Sequence, residues 1–447
     1  MIMKKIQTIN NTLCPCGKKH EFNSEIIVGP NAILSITALI KKYNSKHPYI
    51  ISDTNTYIAA GRRVCKQLDK SKISYTSFSF NQTSVEPDET TIGTAFMHMK
   101  HSCDMIIAVG SGVINDTAKI LALHTKLPYI IVSTAPSMDG YASMTSSVTL
   151  DGVKCSIPSR CADVIIGDTE ILAKCPKKML LAGIGDMLAK YISICEWRIA
   201  TLVCNEYYCE EIATLVRYAL KVVIENSDAI MQGDTDAVEN VFNALNASSI
   251  AMNYAGLSRP ASGIEHYISH IIDMRGVEFD TPVELHGLQC AIGTLISLKL
   301  YEKLKNTVPN KEEALKYVDN FNPKEWEENL HSLLGKSSDA MLLLEKQERK
   351  YDKAKHSARL DIILEKWDEI INIINEELPH SEDIEALMLK LGMPTDIAEI
   401  GIDENLLPDI FCATKDIRDK YVLSRLLWDL GIIDEFAENL KNTQKTK

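Results

Sequence analysis

A chain of 447 residues, 45% hydrophobic and 24% charged, is long enough for two or three domains and has the composition of an ordinary globular protein, which excludes disordered and fibrous classes. Its formal net charge of −12 argues against a nucleic-acid partner, although a local group of Lys and Arg can still hold a small anion. No apolar run approaches the roughly 18 residues that a membrane helix needs, and MIMKKIQTIN lacks a secretory apolar core, so the chain reads as cytoplasmic and its twelve cysteines as reduced thiols.

Residues 1–24 form an amino-terminal segment whose one feature is CPCGKKH, with Cys14, Cys16 and His20 close together. A structural zinc site takes four ligands, and no second cluster of matching spacing is visible, so this segment reads as a turn set by Pro15 and Gly17. From Glu25 to Asp168 short apolar runs (EIIVG, PYIISD, ISYTSFSF, DMIIAVG, PYIIVST, DVIIGD) alternate with helical patterns such as Asn31–Tyr43 and Ile114–His124. Such alternation predicts a mainly parallel, twisted sheet in a Rossmann-like α/β domain over residues 25–170. Within it, SSVTLDGVKCSIPS predicts a hairpin turning at Asp151-Gly152. Residues 171–447 show only helical periodicity, as in LLAGIGDMLAKYISICEWRIA and ARLDIILEKWDEIINIINEEL, and predict an all-helical second domain. The charged run Glu345–His356 reads there as a solvated helix face, and KNTQKTK as a frayed tail.

Two groups of residues carry chemistry. In DMIIAVGSGVINDTAKILAL a buried strand, a Gly-Ser-Gly turn and a helix follow one another, and Gly110 and Gly112 allow backbone N–H groups to approach a pyrophosphate at a helix N-terminus. The third glycine of the usual dinucleotide fingerprint is replaced by Asn115, so this is not the standard first-strand site. Asp53, ending PYIISD, stands where an acidic residue receives a ribose hydroxyl and favours NAD over NADP; it equally suits a helix cap in DTNT. The second group is Asp186 in AGIGDMLAK, His266 and His270 in SGIEHYISH, and His286 in ELHGLQC. One carboxylate and two imidazoles with an open fourth position are the ligand pattern of a catalytic divalent metal.

AVGSGVINDTAK, STAPSMDGYAS, GIGDMLAK, SRPASGIEHYISH and ELHG occur in the order seen in the iron-containing alcohol dehydrogenase superfamily, and from about residue 14 to about 435 the chain resembles its sn-glycerol-1-phosphate dehydrogenase branch. The resemblance implies the dehydroquinate synthase-like fold, an amino-terminal NAD-binding α/β domain followed by a helical metal-binding domain. It implies one divalent ion (zinc, nickel or iron) on Asp186, His266 and His286. It further implies Gly110, Ser111, Gly112 and Asp116 in the pyrophosphate loop, Asp53 at the adenosine ribose, and Thr134, Ser137 and Ser143 on the ribose and nicotinamide side. Asp139 is expected at the glycerol hydroxyls. His270 is a candidate proton relay or a structural partner of the ligands.

The expected reaction is reversible hydride transfer between NADH, with NADPH as the alternative, and dihydroxyacetone phosphate, a small phosphorylated substrate, in a homodimer. Arg259, in SRPASG before the metal-binding helix, is the expected cation for the substrate phosphate because arginine suits bidentate phosphate contacts. A polyol dehydrogenase on the same scaffold, a lyase of the 3-dehydroquinate synthase type and a non-catalytic metal protein are the rival readings.

Overall fold

Six short runs become parallel strands: β1 (Glu25–Gly29), β2 (Pro48–Asp53), β3 (Thr76–Phe80), β4 (Met105–Gly110), β5 (Tyr129–Ser133) and, late in the chain, Val164–Asp168; the four inner ones are buried on both faces, and the edge strands β1 and β3 are partly exposed. The computed structural model describes residues 2–82 and 85–442. Between β5 and the last strand, β6 (Thr145–Leu150) and β7 (Val153–Pro158) form the expected antiparallel hairpin, with Asp151 and Gly152 both at positive φ in its turn. Numbering Val164–Asp168 as β8, the sheet runs β1-β8-β5-β4-β2-β3.

One face of this sheet, presenting Ile50, Ile107, Ile130 and Ile166, packs against Ile36 and Leu39 of helix Ile36–Lys42 and Val64 and Leu68 of helix Arg62–Lys70. On the other face Gly167 lies so near Phe242, of helix Thr235–Ala255, that a Cβ there would sit 2.5 Å from its ring.

The chain divides into two compact units: 1–187 with 211–257, and 188–210 with 258–447. This division does not coincide with the change from strands to helices near residue 171, because helices Lys177–Leu188 and Thr235–Ala255 belong with the sheet. The amino-terminal segment also carries a helix, Ile2–Ile9, whose Ile2 and Ile6 are buried one turn apart. Beyond Asp168 the described residues contain no strand.

Three helical expectations change at their joints. The stretch around Asp186 is two helices, Lys177–Leu188 and Lys190–Cys204, and the stretch 358–378 is likewise two, joined at Lys366. Residues 345–356 are not one solvated face: the helix stops at Glu348, Arg349 turns left-handed (φ 52°), and Asp352 caps the next helix by accepting from the Ala354 and Lys355 N–H groups. The predicted tail at 441–447 falls mostly outside the described residues.

Lys119, fully buried in helix Gly112–Thr125, ties that helix to the chain after β5. Its ammonium donates to Asp116 Oδ1 (3.2 Å), the Gly140 carbonyl (2.7 Å), Ser143 Oγ (2.8 Å) and the Thr145 carbonyl (3.0 Å). Burial pushes the Asp116 carboxyl up and Lys119 opposes that shift. Replacing Lys119 by Met strands this carboxylate, and a loss of about 3 kcal/mol is expected in denaturant unfolding. Because an acid whose folded-state pKa is raised costs less once protonated, the loss should be smaller near pH 5 than near pH 8; an equal loss at both would show that Asp116 is not the group left unpaired.

Candidate active site

In the first unit, the neighbouring strands β2, β4 and β5 deliver the predicted cofactor residues to the carboxyl ends of the sheet, where open α/β sheets bind ligands. Asp53 caps the turn Thr54–Thr56: its Oδ1 accepts from the Thr56 N–H at 2.8 Å and its own N–H donates to Thr56 Oγ1 at 2.9 Å. Gly110 closes β4, Ser111 is the turn, and Gly112 opens the helix Gly112–Thr125, with the Thr134 N–H donating to the Gly110 carbonyl at 3.1 Å.

Asp116 and Ser143 stand behind this loop. Asp116 accepts from Lys119 and from the Ser147 N–H (3.2 Å), and the Ser143 hydroxyl accepts from Lys119, so both side chains are engaged in supporting the loop where contact with the cofactor was expected.

The loop after β5 is held against helix Lys177–Leu188, where Gly183 is required: a Cβ there would lie 1.9 Å from the Pro136 carbonyl oxygen. That approach brings Asp186, one turn further on, to the Asp139 N–H, which donates to its Oδ2 at 2.8 Å. Asp139 in turn accepts from Ser248 Oγ at 2.7 Å, and Thr134, Ser137, Asp139 and Asp186 are all buried.

In the second unit, helix Ile264–Phe279 carries His266 and His270, and helix His286–Leu304 opens with His286. The two helices approach closely at Gly293, where a Cβ would meet the Glu265 carbonyl oxygen at 2.6 Å. The His266 and His286 ring centroids are 5.1 Å apart, and the His270 ring stacks on His286 at 5.6 Å with 25° between planes.

Hydrogen bonds decide how the two nearer rings are used. Glu265 Oε1 lies 2.7 Å from His266 Nδ1, so that nitrogen carries the proton. Ser269 Oγ spends its single proton on Gln289 Oε1 (2.9 Å), so it must accept from His286 Nδ1 (2.9 Å). Both rings therefore keep the Nε2 lone pair, the form in which histidine binds a metal. Cys290, one turn after His286, places its Sγ 3.5 Å from His286 Nε2. Burial would push this thiol up, but His266 and His286 outweigh it and hold it below its ordinary range.

Glu265, Ser269, Gln289 and Cys290 were not singled out in the sequence, although Glu265 adjoins His266 and the other three lie three or four residues from a metal-site histidine on the same helix. Arg259 is a correction. Its Nε and Nη2 bond to both Glu206 carboxylate oxygens (2.7 and 2.5 Å) and its Nη1 to the Tyr421 carbonyl (2.8 Å), at 2% exposure, so the guanidinium is a buried structural cation and is not offered to a phosphate.

Residues 27–176 match the iron-containing alcohol dehydrogenase family. The chain is 31% identical over 307 residues to a glycerol-1-phosphate dehydrogenase (NAD(P)+) of Geobacillus thermodenitrificans, covering 67% of this chain and 76% of that protein. A protein of the same name from Bacillus licheniformis aligns over 435 residues at 26% identity, 96% of this chain and 95% of its own. Among solved structures, a probable glycerol dehydrogenase from Sinorhizobium meliloti shares the fold with a TM-score of 0.59 at 17% identity, over 93% of this chain and 98% of its own.

If Glu265 sets the His266 tautomer, Glu265→Gln should weaken divalent-metal binding by roughly tenfold or more, measured by competition with a chelating dye. The metal-free protein should not lose thermal stability, because burial and then the neighbouring Glu265 already push the buried Glu196 carboxyl up, and the substitution removes one of these two acids. Unchanged affinity would remove Glu265 from the metal site.

Proposed function

Because the chain belongs to the iron-containing alcohol dehydrogenase family, in its glycerol-1-phosphate dehydrogenase branch, we propose that it interconverts dihydroxyacetone phosphate and sn-glycerol 1-phosphate by hydride exchange with a nicotinamide dinucleotide. One observation carries the reading: His266 and His286 both have Nδ1 committed, to Glu265 and Ser269, and both keep Nε2 for one divalent ion. The third ligand in this reading is Asp186, buried near the end of helix Lys177–Leu188. Two imidazoles and a carboxylate make up a catalytic donor set that zinc, nickel and iron all accept. When bound, the ion supplies Lewis-acid polarisation of the carbonyl to be reduced, worth several kcal/mol.

The chain's own residues bind and orient. N–H groups at Gly110, Ser111 and Gly112 take the dinucleotide diphosphate at the start of a helix, where the partial charge is favourable. Asp53 offers its carboxylate to the adenosine ribose, which favours NAD over NADP. Thr134 and Ser137 line the nicotinamide side, while Asp116 and Ser143 brace the loop from behind. Asp139, steadied by Ser248, takes the glycerol hydroxyls. His270, half-buried and stacked on His286, carries the proton between the reacting oxygen and solvent. The same reading makes the protein a cytoplasmic homodimer; no described helix is long and apolar enough to cross a membrane.

The test is NADH and NADPH oxidation with dihydroxyacetone phosphate by metal-stripped protein reloaded with zinc, nickel or iron, with the handedness of the product determined. Turnover restored by a metal and yielding sn-glycerol 1-phosphate is expected, and Asp186→Asn should lower kcat/KM by roughly three orders of magnitude. Equal turnover of unphosphorylated glycerol would replace the reading with a polyol dehydrogenase, and no nucleotide oxidation with any metal would overturn it in favour of the lyase.

A further inference from the structure

The amino-terminal CPCGKKH segment plays no part in this chemistry, yet it is built as carefully as the catalytic rings. After helix Ile2–Ile9 the chain folds back on itself through the bridge Leu13–Lys19. The Cys14 N–H donates to the Lys18 carbonyl and the Gly17 N–H to the Cys14 carbonyl, both at 2.9 Å, with Gly17 at φ +83° in the turn. The knuckle turns its donors together: one donor atom from each of Cys14, Cys16 and His20 lies within 4.8 Å of the others, and Cys16 Sγ is 3.4 Å from His20 Nε2. A sulfur and a nitrogen sharing a tetrahedral zinc at ordinary bond lengths are separated by about 3.6 Å.

Two further features point to a metal in place of a plain turn. His20 is 1% exposed and Cys14 6% exposed, so both sit where a metal would be shielded from exchange. His20 Nδ1 lies 3.1 Å from the Tyr254 carbonyl oxygen, which can only accept. That bond puts the proton on Nδ1 and leaves the Nε2 lone pair facing the thiols, as at His266 and His286.

We propose that Cys14, Cys16 and His20 bind a structural zinc ion separate from the catalytic metal. Two thiolates and an imidazole form a soft donor set that suits zinc. The ion fastens the amino-terminal segment to helix Thr235–Ala255, which holds Tyr254, so its effect is on stability and not on hydride transfer.

The experiment is metal analysis of the full-length protein loaded with zinc, repeated with cobalt(II) as a spectroscopic probe. The expected result is two equivalents per chain and a thiolate-to-cobalt charge-transfer band. Cys14→Ser/Cys16→Ser should lose one equivalent and most of that band, whereas Asp186→Asn should lose the other equivalent and keep the band. A band that survives the double serine variant would belong to Cys290 at the catalytic centre and would overturn the proposal, as would a single equivalent bound by the unaltered chain. Since the double variant can fail to fold, His20→Cys gives a second arm: an all-thiolate knuckle should retain both equivalents and strengthen the charge-transfer band. Loss of an equivalent, or an unchanged band, would count against His20 as a ligand.

Discussion

An imidazole binds a divalent ion only through a nitrogen free of its proton, and in a buried site the neighbours decide which nitrogen that is. The arrangement of the second unit follows from this requirement. Glu265 precedes His266 in the same first helical turn and reaches its Nδ1, while Ser269, one turn on, accepts from His286 across the gap between two helices. Ser269 can act as an acceptor only because Gln289 takes its proton, and Gln289 is itself held by donating to Asp273 and to the Glu284 carbonyl. The orientation of His286 thus depends on a relay of hydrogen bonds whose last members touch neither ring.

Such a relay tolerates little movement, and the packing supplies the rigidity. At Gly293 the helix beginning with His286 lies against the Glu265 backbone with no room for a methyl group, so the helices cannot slide without breaking the Ser269–His286 bond. Glu196 accepts from the Ile264 and Leu423 N–H groups and so bonds to the start of helix Ile264–Phe279, while Glu265 accepts from the Gly263 N–H. Two neighbouring buried acids are costly. Burial and Glu265 push the Glu196 carboxyl up, so protonation of Glu196 avoids two buried negative charges side by side. The site accepts this cost in exchange for a fixed helix start beneath His266.

The features legible in the sequence were those with a local physical cause. The four inner strands, buried on both faces, read as continuous apolar runs, and the two edge strands also lie within the runs quoted; Asp151-Gly152 forced a hairpin, and Gly-Ser-Gly a turn between β4 and its helix. Helix joints at Ala189, Lys366 and Arg349 were missed because no proline or glycine marks them; only the last is followed by a side-chain cap, at Asp352, with His356 beyond it buried against the Asp429 carbonyl. The CPCGKKH knuckle read as a turn because the residue that orients its histidine, Tyr254, is more than two hundred positions away. The partners of the histidines were within four residues of them, yet Glu, Ser, Gln and Cys on a helix have no meaning until the facing helix is in place.

Arg259 is the instructive case, because its location was read correctly and its task was not. Proximity to the metal-binding helix suggested a phosphate contact, but a guanidinium at 2% exposure must have its charge met within the protein, and Glu206 meets it with both oxygens. The pair continues through Tyr421, whose carbonyl accepts from Arg259 and whose hydroxyl donates to Asp429, which is clamped in turn by both guanidinium arms of Arg359. Buried ion pairs of this kind add little net stability compared with apolar packing, but they permit very few geometries. Here they connect the segment 258–263 with segment 421–429 and helix Lys353–Glu365. Arg259 therefore serves the site at a distance: by fixing where helix Ile264–Phe279 begins, it fixes where His266 points, and a lysine there would keep the charge but lose the bidentate fit that sets the angle.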